Sequence, residues 1–338
     1  DLELDFVVEG DPGRLGGHWT LSGIGYTQEQ GIINGEEAYV EVDYEATARL
    51  DAIGQELLAD ADAARAAFET AEAGLEGGDE FLKRLGVVPG PDGHIPYSAE
   101  ENAVWRDLMK RQIPMLNGRA CSPWIRALDE MNFPINRVPQ LAEVSEVLQK
   151  HTGWAVAPVP ALIGFTEFFR LLANRQFPVA TFIRRREDFD YLQEPDIFHE
   201  VFGHTPPLTD HRFAAFVEAY GKAGLAADPK DHAMLARLFW FTVEFGLVNT
   251  KEGVRAYGAG VMSSPSELRW AIDSGEPLRK PFDPVDALRT PYRIDILQPV
   301  YFVIDSFDDL FELAQADLLG YIQEARRLGM HTPLFEAA

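Results

Sequence analysis

The sequence predicts a mostly helical α+β fold with a few short strands, preceded by an acidic segment of different character. Three observations lead there. Amphipathic runs at helical spacing recur from Tyr97 onward. Apolar runs short enough for strands occur in only three places in that region. Residues 1–100 carry 22 acidic and 5 basic side chains, whereas residues 101–338 carry 32 and 25, so the acidity belongs mainly to the first third.

The elements follow in order. Residues 1–43 are rich in glycine and acids, and GIINGEEAYVEV reads as a hairpin turning at Asn34-Gly35. Residues 44–75, rich in Ala, Asp and Glu, read as a helix with Leu50, Ile53, Leu57 and Ala61 on one stripe. Gly74, Gly77 and Gly78 punctuate it, and GVVPGPDGHIP, residues 86–96, reads as a linker. The chain therefore divides into an acidic segment, 1–94, and a second domain, 95–338. That domain opens with Ser98 three residues before Glu101, the spacing of a capping box. Helices are expected at 123–132, 139–152, 166–174, 213–223, 231–249 and 306–328, and strands at 154–159, 180–183 and 301–304.

Composition narrows function. A formal charge of −24 argues against nucleic acid and against anionic membrane surfaces as partners. The single cysteine, Cys121, excludes an intrachain disulfide. No apolar run reaches the length of a membrane span, and DLELDFVVEGD lacks the basic start and apolar core of a signal peptide. The chain reads as a cytoplasmic protein.

The chemistry concentrates in EPDIFHEVFGH, Glu194 to His204, and in LFWFTVEFG forty residues on. His199 and His204 are five apart, roughly 140° around an α-helix, so an unbroken α-helix cannot aim both at one ion. A chain break at Gly203, enforced by Thr205-Pro206-Pro207, is the expected remedy. The spacing also separates this motif from HExxH zinc proteases, whose histidines are four apart. Glu244 sits in an otherwise apolar and aromatic run, where an unpaired carboxylate would cost several kcal/mol and a divalent ion would remove that cost. Two imidazoles and one carboxylate form the ligand set of mononuclear non-haem Fe(II) oxygenases, with coordination sites left open for O2. His18, His94, His151, His211, His232 and His331 read as exposed or capping.

EPDIFHEVFGH, LFWFTVEFGL, AYGAGVMSSPSE and YRIDILQPVYFV together resemble the catalytic domain of the pterin-dependent aromatic amino acid hydroxylases, most of all the bacterial stand-alone phenylalanine 4-hydroxylases. The resemblance covers roughly residues 97–307. It implies that fold, and para-hydroxylation of L-phenylalanine to L-tyrosine with O2, Fe(II) and a tetrahydropterin such as tetrahydrobiopterin. It assigns the iron to His199, His204 and Glu244. It assigns the pterin to Ile163, Gly164 and Phe168, with Glu200 facing it through water. It places Arg184 and Ser263 at the substrate carboxylate, and Trp240 and Phe245 around the aromatic ring. Asp196 reads either as an acceptor for a ligand histidine or as a helix N-cap. Residues 1–94 match no part of the regulatory domain of the animal members, and no sustained heptads follow residue 328, so a monomer is expected. Hydroxylation of tryptophan or tyrosine is the alternative within the family. A zinc hydrolase with Glu200 as general base is the alternative from another class.

Overall fold

The computed structural model describes residues 30–33, 36–39, 93–159, 163–190, 192 and 194–335. The helix expected at 44–75 and residues 86–92 of the expected linker lie outside the described residues. Strands β1 (Gln30–Ile33) and β2 (Glu36–Tyr39) pair antiparallel with Ile33 opposite Glu36, the register of a two-residue connection at 34–35.

The main body begins where the Pro/Gly stretch ends. Ile95 is fully buried, and the Gln140 side chain binds both its N–H, at 2.8 Å, and its C=O, at 3.1 Å. Helix α1 (Ala99–Met115) starts with the expected capping box, Ser98 and Glu101 each satisfying the other's backbone N–H. Helix α2 (Ser122–Met131) has proline in its first turn and stops at Asn132, which takes a left-handed conformation. Helix α3 (Leu141–His151) leads into β3 (Ala155–Val159), and α4 (Phe165–Ala173) connects β3 to the parallel strand β4 (Gln176–Ala180).

The strand expected at 180–183 is thus displaced. The chain past Ala180 is held by other partners: Thr181 O accepts from the Tyr97 hydroxyl at 2.7 Å, and Phe182 O accepts from Ile197 N–H at 2.8 Å. Those bonds bring Arg184 beside the metal-motif segment.

After α5 (His211–Ala226) and α6 (His232–Phe239) comes a larger departure. The helix expected over 231–249 is regular only to Phe239, continues as a π-helical turn over Trp240–Glu244, and then becomes a strand. Gly246 makes the change of direction possible, because a Cβ there would lie 2.2 Å from the Tyr257 ring and 2.3 Å from Thr242 O. Strand β5 (Leu247–Thr250) pairs antiparallel with β6 (Gly253–Ala256), and α7 (Ala259–Ser263) and α8 (Pro265–Asp273) follow. Then come β7 (Leu278–Pro281), α9 (Pro284–Arg289) and β8 (Val300–Ile304), which completes a four-stranded sheet of order β6-β5-β8-β7. The helix expected over 306–328 is two: α10 (Phe307–Gln315) and α11 (Leu318–Leu328). Asp317 interrupts it by capping α11 through Gly320 N–H.

The core is strongly aromatic around the motif. Phe198 stacks on Phe202 with centroids 4.8 Å apart, Trp105 meets Phe198 edge-on at 5.5 Å, and Trp124 meets Phe202 at the same distance. Each such ring contributes about 1.5–3 kcal/mol by leaving water. The two phenylalanines therefore anchor the segment whose histidines face the other way. Among the described residues no helix is long and apolar enough to cross a membrane.

Candidate metal centre and its surroundings

His199 and His204 do converge, but not through a break at Gly203. Phe198–His204 is one uninterrupted π-helical turn that ends at Thr205, and the prolines begin the 3-10 turn Pro206–Thr209. A π-helix closes its hydrogen bonds five residues on, so residues five apart stack on one face as i and i+4 do in an α-helix. Gly203 lies inside the turn. Its role is close approach, since a Cβ there would sit 3.0 Å from both the Cβ and the carbonyl oxygen of Ala259. Glu244 ends the second π-helical turn, Trp240–Glu244. Both halves of the centre thus come from widened helical turns.

The three side chains offer one ligand atom each, and these atoms all lie within 4.8 Å of one another. His204 Nε2 is 3.1 Å from His199 Nε2 and 3.1 Å from Glu244 Oε1, and His199 Nε2 is 3.5 Å from Glu244 Oε2. Glu244 Oε1 is buried without a hydrogen-bond donor. Burial works against ionisation of this carboxyl, but His204 and His199 outweigh it and hold it well below the usual carboxylate range. Lone pairs from two rings and one carboxylate aimed at a common point fit a divalent cation.

The tautomer of His199 is fixed by its neighbours. Ser263 Oγ lies 2.9 Å from His199 Nδ1 and gives its own proton to Ala259 O at 2.8 Å. Nδ1 must therefore carry the hydrogen and donate it, leaving Nε2 free to bind metal. The Ser263 hydroxyl, expected at the substrate carboxylate, is thus engaged with His199 and Ala259. The cap of α8 is the neighbouring Ser264, which accepts from Glu267 N–H at 3.3 Å.

Asp196 is fully buried and accepts four hydrogen bonds. Arg184 supplies three, from its backbone N–H at 3.0 Å and from Nε and Nη2 at 2.9 Å each, and His199 N–H supplies the fourth at 3.1 Å. Asp196 thus caps the π-helical turn through its backbone rather than accepting from a histidine ring. Burial opposes its ionisation, and the Arg184 charge and hydrogen bonds prevail, keeping it below the usual range. Nε and Nη2 both point at Asp196, so that edge of the guanidinium is braced by the carboxylate. The loop after Arg184 is tied to α1 by Arg186–Asp107 at 2.6 Å and Arg111–Asp190 at 2.8 Å.

Glu200 is buried, with Oε2 lacking a hydrogen-bond donor and lying 3.8 Å from His204 Nε2. Burial raises its carboxyl to about 8; His199 pulls it down, while Glu244 and Asp196 push it up. Trp240 stacks against Tyr292 at 4.4 Å and lies 4.2 Å from the Phe245 ring. Phe168 is buried edge-on to Phe239 at 5.3 Å. Ile163 and Gly164 precede α4, with Gly164 as its N-cap. Sequence reasoning missed Phe177, whose ring lies 4.6 Å from that of His204, and Gln298, which bonds Trp240. Gln298 had a signal: it is the one polar side chain in Ile296–Val300, ahead of a strand. Outside the centre, His331 faces Asp286 at 2.5 Å, and His232, expected to be exposed or capping, packs against Phe165 and Phe169 at 5.3 and 5.1 Å.

The sequence pattern of the family described as biopterin-dependent aromatic amino acid hydroxylase matches residues 90–327. A phenylalanine-4-hydroxylase of Pseudomonas aeruginosa is 53% identical over 247 residues, covering 73% of this chain and 94% of the relative. One of Vibrio cholerae is 51% identical over 244 residues, covering 72% and 84%. The apo structure of the cold-active phenylalanine hydroxylase of Colwellia psychrerythraea superposes with a TM-score of 0.73 at 51% identity, covering 74% of this chain and 97% of that one.

Proposed function

The chain belongs to the biopterin-dependent aromatic amino acid hydroxylases, and from that premise we propose that it hydroxylates L-phenylalanine at the para position to give L-tyrosine. The observation that carries this reading is the convergence of His199, His204 and Glu244 in a buried aromatic setting, with an orphaned carboxylate oxygen at its centre. His199, His204 and Glu244 would hold Fe(II), which with a tetrahydropterin and O2 would supply the oxidant.

The protein's own contribution is binding, orientation and exclusion of water. Ser263 holds the His199 ring in the ligating tautomer. Arg184 takes the amino acid carboxylate, pre-set by Asp196 behind it. Trp240 and Phe245 form an apolar wall for the substrate ring. Ile163, Gly164 and Phe168 line the pterin side, and Glu200, with its raised affinity for a proton, presents a carboxyl toward the same space. On this reading the enzyme is a cytoplasmic monomer without nucleic-acid or membrane partners; the charge of −24 supports that, and size-exclusion chromatography with light scattering tests its mass in solution.

The deciding experiment is tyrosine formation from phenylalanine, with and without Fe(II) and tetrahydropterin, beside parallel assays with tryptophan and tyrosine. The expected result is turnover that requires both additions and prefers phenylalanine. Activity with zinc alone, independent of O2, would overturn the reading.

A further inference from the structure

Gln298 is a buried polar side chain bonded at both ends of its amide, and nothing in the chemistry above uses it. It is 1% exposed. Its Oε1 accepts from the Trp240 indole N–H at 3.0 Å, and its Nε2 donates to Arg293 O at 2.7 Å and Ile296 O at 3.0 Å. Its backbone N–H donates to Glu267 Oε1 at 3.1 Å, and its backbone C=O accepts from Trp270 Nε1 at 2.9 Å. The partners fix the amide orientation. An indole nitrogen only donates and the two carbonyls only accept, so a flipped amide would set donor against donor and acceptor against acceptor.

Three parts of the molecule meet at this residue: the π-helical turn that ends in Glu244, helix α8, and the loop before β8. Trp240 carries the connection toward the centre: its ring contacts Tyr292 at 4.4 Å and Phe245 at 4.2 Å, and Phe245 follows the ligand Glu244 directly. Stacking alone leaves an indole free to slide in its own plane. A hydrogen bond from its one N–H to a fixed acceptor removes that freedom. The acceptor is fixed because the rest of the Gln298 amide is already committed.

We propose that Gln298 is a positioning residue that locks the Trp240 indole as a rigid wall, and that this wall sets which aromatic ring the site accepts. The inference rests on the reading of Trp240 as part of the substrate pocket. A locked wall excludes a ring larger than phenyl; released from Gln298, the indole yields and discrimination between phenylalanine and tryptophan falls.

The test is a double-mutant cycle in the full-length, iron-loaded enzyme with Gln298→Met, Trp240→Phe and the pair. It is read as the ratio of kcat/KM for phenylalanine over tryptophan and, independently, as the ratio of their dissociation constants by calorimetry. Gln298→Met should lower the ratio about tenfold in the Trp240 protein, the order of discrimination a small change of pocket size produces. In the Trp240→Phe background, where there is no N–H to hold, it should change nothing further. An unchanged ratio in the Trp240 protein, or an equal change in both backgrounds, would overturn the proposal, the second because a general loosening acts without the indole. If the wild type makes no tyrosine, the proposed activity fails and the binding cycle alone decides the role of Gln298.

Discussion

Two buried charged clusters lie side by side in this protein, and they are finished to different degrees. Asp196 accepts four hydrogen bonds, three of them from Arg184, and neither group needs anything the chain does not supply on that side. The cluster one helical turn away is left short. Glu244 Oε1, Glu200 Oε2 and His204 Nδ1 are all buried without hydrogen-bond partners, and two ring nitrogens lie 3.1 Å apart. Buried polar groups in folded proteins are almost always satisfied, so a concentration of exceptions at one point marks where something other than protein belongs. The finished pair fixes geometry; the unfinished one could hold a cation.

The strongest way to break this comparison is at the unfinished cluster. His199→Ala should fold, as judged by circular dichroism, yet lose bound iron and fall to background turnover; normal turnover would remove the centre from the account. At the finished cluster the effect should appear in stability as well as in substrate binding. Asp196→Ala strands a buried guanidinium, and removal of one partner of a buried ion pair costs about 3–5 kcal/mol, read by urea denaturation. A loss under about 1 kcal/mol would show that the pair does not brace the fold.

Glu267 is an intermediate case. It is buried and accepts from the Tyr301 hydroxyl and from Gln298 N–H, but among the described residues no cation pairs with it. Burial raises its carboxyl from 4.5 to about 7, more than those two donors lower it. The folded state therefore keeps a proton that the unfolded chain releases. Stability from this group is complete below the unfolded value, declines as pH rises from 4.5 to about 7, and is level above. The decline amounts to at most about 3 kcal/mol. Glu267→Gln should abolish this slope, giving a higher melting temperature than the wild type at pH 8 and a similar one at pH 4.5; parallel melting curves across the range would contradict it. A smaller effect is expected at Ser263. Ser263→Ala leaves the ligands in place but frees the His199 ring, which should weaken iron binding about 10–100-fold, measured by competition with a chelator. Unchanged iron affinity would return Ser263 to a purely backbone role.

Much of the centre was legible because residue type carries the chemistry. Histidine and glutamate in apolar surroundings cost too much to be there without a partner, and that holds whatever the local fold. How His199 and His204 meet was not legible, because a helical segment has α-helical pitch by default, and at that pitch only a break at Gly203 lets the two converge. A π-helical turn is a tertiary outcome, held by Phe198 and Phe202 in the core and by Ala259 against Gly203. The strands β5, β6 and β7 were missed for a related reason. Asn249, Arg255 and Lys280 dilute their apolar pattern, and they share a sheet with β8, whose run is continuously apolar. The bond between Ser263 and His199 was not legible because the two are 64 residues apart.

The central claim is that a single divalent cation completes the cluster of His199, His204 and Glu244. Anaerobic titration of the metal-free full-length enzyme with Fe(II), followed by calorimetry and by melting temperature, tests it most directly. The account predicts one ion bound per chain and a melting temperature that rises with iron concentration, as it must when a ligand binds only the folded state, with both effects absent in Glu244→Ala. Iron that fails to bind, or that binds and stabilises Glu244→Ala as well as the wild type, would contradict it.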